Sequence, residues 1–108
     1  MKTINKPWGR EEILEVNSKY VLKRLIMNKG CRCSLQHHEK KTETIYVLSG
    51  LLRLYLNGNY SIMTPGDVIT IKPFDEHRME GLEGTVYLEA STPELDDVVR
   101  IKDDYRRT

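Results

Sequence analysis

Long apolar runs are missing from this chain of 108 residues. None approaches the roughly 18 residues that a membrane-spanning helix requires. The opening stretch, Met1-Lys2-Thr3-Ile4-Asn5-Lys6-Pro7-Trp8, lacks the apolar centre of a secretory leader. The reading is a cytoplasmic protein with no membrane partner. An excess of one charge is missing too, because 17 Lys+Arg stand against 16 Asp+Glu for a net charge of +1. With no bulk field to gather nucleic acid or anionic lipid, any charge chemistry must be local. Cysteine is scarce. Cys31 and Cys33 are one residue apart, too close to staple a loop and without a second pair to complete a zinc knuckle, so they read as reduced, small apolar core residues. There is also no internal repeat, low-complexity segment or linker, and the length fits one domain with a single core.

What the sequence does hold is a succession of short apolar runs broken about every ten residues by turn residues, with no sustained helical period. The expected strands are Glu12–Val16, Tyr20–Met27, Arg32–His38, Thr44–Leu48, Leu51–Leu56, Tyr60–Met63, Val68–Ile71, His77–Glu80 and Thr85–Ser91. Asn57-Gly58 is the clearest hairpin signal, and Ser49-Gly50 and Thr64-Pro65-Gly66-Asp67 punctuate elsewhere. The count suits an all-β sandwich or barrel. The charged tail either packs back through Val98, Val99, Ile101 and Tyr105 or ends in solvent.

Strand alternation groups the side chains by face. It sets Arg32, Ser34, Gln36 and His38 against Cys31, Cys33, Leu35 and His37, and Thr85, Tyr87, Glu89 and Ser91 against Val86, Leu88 and Ala90. A polar strand face is either wet or lines a pocket. Between Gly30 and Gly50, the spacing Gly-x5-Gln36-x-His38-x4-Glu43-x6-Gly favours a pocket, and Gly66-x10-His77 follows on a later strand. Two imidazoles, a carboxylate and an amide oxygen form a donor set for a divalent ion, zinc first, with manganese, cobalt, iron or nickel as alternatives; the lack of thiolate argues against a structural zinc site. His37, adjacent to His38, must face the other way and reads as a surface residue. Trp8 reads as a packed anchor.

This spacing resembles the first cupin motif with its first histidine replaced by Gln36, and His77 resembles the histidine of the second motif. Within that superfamily the sequence is similar to the cupin domain of type II mannose-6-phosphate isomerases, a domain often fused to GDP-mannose pyrophosphorylase. The similarity extends over Lys6-Pro7-Trp8-Gly9, Lys23-Arg24-Leu25, Gly30 to Gln36, Val47-Leu48-Ser49-Gly50, Asp96-Asp97-Val98-Val99-Arg100 and Asp103-Asp104-Tyr105. It implies a single-domain cupin, a jelly-roll or double-stranded β-helix. The divisions are a site-bearing core over about 20–91, an N-terminal strand segment 1–19 and a C-terminal tail 92–108. Where the family usually carries His-Arg-Ala-Glu-His-Trp, this chain has Lys40-Lys41-Thr42-Glu43-Thr44-Ile45, so Lys41 stands in place of an arginine thought to assist catalysis.

The resemblance implies metal-dependent aldose–ketose isomerisation of a sugar phosphate through an enediol, of the mannose 6-phosphate to fructose 6-phosphate type. On this reading Gln36, His38, Glu43 and His77 hold the metal, Glu89 is the base, Lys41 assists, and Arg32, Lys72 and Arg24 bind substrate phosphate. Two other uses of the same ligands are a non-haem metal oxygenase and a non-catalytic sugar-binding accessory cupin. A small sandwich with edges to protect is expected to form a homodimer, paired through its N-terminal strands.

Overall fold

Alternation along the chain produces eleven strands in the computed structural model, which describes residues 1–105: β1 (Lys2–Lys6), β2 (Gly9–Val16), β3 (Val21–Met27), β4 (Leu35–His37), β5 (Glu43–Ser49), β6 (Leu52–Leu56), β7 (Asn59–Met63), β8 (Val68–Ile71), β9 (His77–Gly81), β10 (Thr85–Ser91) and β11 (Val99–Lys102). They form two antiparallel sheets, ordered β1-β2-β3-β10-β5-β8 and β11-β4-β9-β6-β7. This is the expected all-β sandwich. Among the described residues no helix is long and apolar enough to cross a membrane.

Each central strand presents one face to the interior. In β3, Val21, Lys23, Leu25 and Met27 are buried; in β10, Thr85, Tyr87, Glu89 and Ser91 are buried. The polar face of β10 is therefore the inner one. Ile45, Val47, Leu52, Leu54, Ile71 and Tyr87, none more than 1% exposed, form the middle of the apolar core. Burying a side chain of this kind contributes about 1.5–3 kcal/mol. Asn57 (φ 48°) and Gly58 (φ 91°) turn β6 into β7 with the two positive dihedrals of a tight hairpin. Gly50 has φ 96°, and a Cβ there would lie 2.4 Å from the Gly84 carbonyl oxygen, so only glycine fits between β5 and β6.

Two strand expectations change, and of the two alternatives for the tail the first holds. β1 pairs with β2 at the end of its sheet, although its Lys-Thr-Ile-Asn-Lys sequence carries little apolar signal. The tail folds back as β11 against β4, with Val99 opposite His37 and Arg100 opposite Gln36. The strand expected over Arg32–His38 shortens to Leu35–His37, because Cys33 and Ser34 are both buried and regular alternation stops there.

Candidate metal centre

The mouth of the sandwich gathers its donors from both sheets. Gln36 in β4 is the register partner of His77, the first residue of β9. Glu43 opens β5 in the other sheet, and His38 follows directly on β4. His38, Glu43 and His77 each offer a ligand atom within 4.8 Å of the others, and all three are at most 2% exposed. Gln36 lines the same cavity, its Oε1 accepting from Ser34 Oγ at 3.0 Å.

The histidine tautomers follow from their anchors. His38 Nδ1 donates to the carbonyl of Asp97, and His77 Nδ1 donates to the carbonyl of Asp75 at 2.9 Å. A carbonyl can only accept, so in each neutral ring Nε2 keeps its lone pair. Both lone pairs point inward: Glu43 Oε1 lies 3.3 Å from His38 Nε2 and 3.1 Å from His77 Nε2. The His77 contact is close but lacks hydrogen-bond geometry, leaving this buried nitrogen without a partner. Three acceptors converging without a donor form a place for a cation, and two imidazoles with a carboxylate suit a divalent transition metal. The donor set therefore fits the expected group.

Behind the ligands runs a chain of alternating charge. Lys41 Nζ stands 3.3 Å from both Glu43 Oε2 and Glu89 Oε2. Lys23 Nζ lies 3.9 Å from Glu89 and 2.6 Å from Glu11, and Lys6 reaches Glu11 at 3.7 Å. Burial pushes the Glu89 carboxyl up to about 7, reinforced by Glu43 and opposed by Lys41 and Lys23. Burial acts on Glu43 in the same direction, but its close contacts, the Lys41 ammonium among them, outweigh it and hold this carboxyl well below its usual range. For Lys41, burial favours loss of its proton, while Glu89 and Glu43 prevail and raise its pKa. The cavity these groups line measures about 110 Å³; Trp8, Leu25, Met79 and Tyr87 form its apolar walls.

With His77 held against Glu43 at 3.1 Å, Glu89 and Lys41 line one cavity with the other three expected ligands, Gln36, His38 and Glu43. The three expected phosphate residues do not. Arg32 precedes the shortened β4 and turns to the outside of its sheet, where Nε meets Asp104 Oδ2 at 2.6 Å. Arg24 shares the outward face of β3 with Leu22 and Ile26 and pairs with Glu12 at 2.5 Å. Lys72 is exposed in the turn after β8, where its amide donates to Asp75 Oδ2 at 2.9 Å. The cations that line the cavity are Lys6, Lys23, Lys41 and Arg100. Lys23 was legible, since it sits between Val21 and Leu25 on an apolar face, where a lysine must find acidic partners. Lys6 and Arg100 carried no such signal. His37, half-buried, faces away from the site, its ring centroid 5.7 Å from that of Phe74.

Known proteins bear on this geometry. The sequence matches the family described as "Mannose-6-phosphate isomerase C-terminal" over residues 1–103. It is 29% identical over 112 aligned positions to the mannose-1-phosphate guanylyltransferase ManC of Salmonella typhimurium, covering 98% of this chain and 23% of that protein. The chain thus spans about a quarter of the length of the curated relatives it matches. In three dimensions it is similar to KdgF from Halomonas sp. (TM-score 0.82, 18% identity, 89% of each chain). It is also similar to an RmlC-like cupin from Shewanella frigidimarina (TM-score 0.79, 18% identity, 88% of this chain and 86% of that one). These two likenesses establish a cupin fold.

Proposed function

Because the chain belongs to the mannose-6-phosphate isomerase C-terminal family, we propose that it is a metal-dependent sugar-phosphate isomerase domain, interconverting mannose 6-phosphate and fructose 6-phosphate. The observation that carries this reading is the convergence of two Nδ1-anchored imidazoles and the Glu43 carboxylate beside a second buried carboxylate, Glu89. His38, Glu43 and His77, with Gln36 as a fourth donor, would hold a divalent ion, which would supply Lewis acidity to the negative charge that develops on the sugar oxygens. Glu89 takes the proton as the C2–H bond breaks and the electron pair passes through C1 to O1, leaving the enediolate; once the O2 proton has moved to O1, the pair returns from O2 and Glu89 gives its proton back as the C1–H bond forms. Lys41, 3.3 Å from both Glu43 and Glu89, favours the charged form of each carboxylate. The cavity of about 110 Å³ admits the reacting end of the sugar, and its phosphate stays towards Lys6, whose side chain is 25% exposed. Buried lysines suit an anionic substrate and give no support to dioxygen chemistry.

The test is a coupled assay of mannose 6-phosphate turnover with zinc, cobalt or manganese. Turnover above the metal-only blank is expected, and its absence with all three overturns the reading. One observation favours the accessory-module alternative: the Lys41 ammonium, where the family carries arginine, already engages two carboxylates. Saturable sugar-phosphate binding without turnover is the outcome that reading requires. The edge position of β1 leaves room for a second copy, and a solution mass of twice 12.6 kDa is expected for the dimer.

A further inference from the structure

We propose that Asp97 is a positioning residue for the candidate metal centre, and that the segment following β10 thereby sets the orientation of the His38 ring. The functional consequence rests on the reading above; the geometry does not. His38 lies beyond the end of β4, and the turn of residues 39–42 separates it from Glu43. Asp97 supplies the constraint at both levels. Its main-chain carbonyl accepts from His38 Nδ1. Its carboxylate accepts three successive amides: Glu39 N to Oδ1 at 3.1 Å, Lys40 N to Oδ2 at 2.7 Å and Lys41 N to Oδ2 at 2.9 Å. Consecutive amides closing on one anion form a nest, and the charge on the acceptor strengthens each bond.

The register of β11 explains how Asp97 arrives there. Val99 opposite His37 and Arg100 opposite Gln36 carry the antiparallel alignment on to Asp97 beside Glu39. One aspartate from the tail therefore grips the start of Lys41's turn and the ring of His38 together. His77 has an independent anchor of the same design. Its ring is held by the carbonyl of Asp75, whose carboxylate closes a different turn through the Lys72 amide and Asn57 Nδ2, both at 2.9 Å. Each imidazole is thus fixed by the carbonyl of an aspartate whose own side chain ties down a turn, and only one of the two is Asp97.

That independence provides an internal control. In metal-free protein at pH 8, imidazole ¹⁵N spectra are expected to show both rings as the Nδ1–H tautomer. Asp97→Ala keeps the carbonyl but removes the carboxylate that ties it to the 39–41 amides; the His38 signals are then expected to move towards a mixture of tautomers while those of His77 stay in place, and zinc affinity should fall roughly 10- to 100-fold, as when the support of a metal-ligating histidine is loosened. Asp97→Asn, which keeps an acceptor oxygen, should show the same His38 selectivity with a smaller loss, and it decides the matter if the alanine variant does not fold. The proposal is overturned if His38 keeps its tautomer and zinc affinity stays within twofold of the parent. It is equally overturned if His77 moves as much as His38. Because the spectra need neither metal nor substrate, failure of the isomerase assay leaves this result intact, and the reverse also holds.

Discussion

Lys23, Leu25 and Met27 are successive inward-facing residues of one strand, yet the first belongs to a charged chain and the last to a dry core. Neighbouring strands repeat the gradient: Glu43, Ile45 and Val47 along β5, Glu89 and Tyr87 along β10, His77 and Met79 along β9. The same backbone alternation therefore builds two unlike ends inside one sandwich. At the apolar end, burial itself is favourable and its cost is low. At the charged end every group loses hydration, and only mutual pairing makes its burial tolerable, so this end adds little to stability.

Breaking the apolar end should give the largest effect. Leu54→Ala, at a site 1% exposed, is expected to cost about 2–5 kcal/mol in chemical denaturation, with zinc affinity of the folded fraction retained. At the charged end, Glu43→Gln should lower zinc affinity by about two orders of magnitude or more in competition with a chelating dye, and abolish turnover, while shifting the unfolding midpoint less than Leu54→Ala does. A third contrast uses pH. Glu89, faced by Glu43, Lys41 and Lys23, has its carboxyl raised from 4.5 to about 7. Between those values the native state binds a proton that the unfolded state has released, so stability should fall as pH rises through that window. In metal-free protein, Glu89→Gln should flatten that slope, a change visible in unfolding free energies measured from pH 4.5 to 7. The smallest effect is expected outside both ends. Arg24→Ala removes a half-exposed pair with Glu12, should cost no more than about 1 kcal/mol, and should leave the Michaelis constant for sugar phosphate unchanged.

The difference between the ends also explains what could be read from residues alone. Gln36, His38, Glu43 and His77 are unusual residue types at a restrictive spacing, and Glu89 obeys strict alternation along a complete strand, so linear pattern and fold agree. Arg32 misled because alternation presumes a continuous strand, and at Cys33-Ser34 the chain is not one. Arg24 misled because family likeness carried it while alternation placed it with Leu22 and Ile26, facing away from Lys23. β1 carries no strand pattern of its own and β11 only an ambiguous one, because short strands at sheet ends bury little and need no apolar pattern. Asp97 was invisible for a different reason: its role depends on register with residues nearly sixty positions earlier.

The placement of β10 between β3 and β5 has a consequence for the order in which the protein assembles. Glu89 cannot face Lys23 until a loop of more than sixty residues has closed, and Asp97 joins the 36–43 segment across nearly sixty positions and His77 across about forty. Closure of long loops precedes the contacts that reward it, which places sandwiches of this kind among the slow folders, in milliseconds to seconds. The nascent chain can offer a metal only Gln36, His38 and Glu43 from one local stretch, a weak and incomplete grip. Tight binding of the proposed ion would therefore belong to the finished sandwich, and it should stabilise the native state by slowing its unfolding while leaving the folding rate almost untouched.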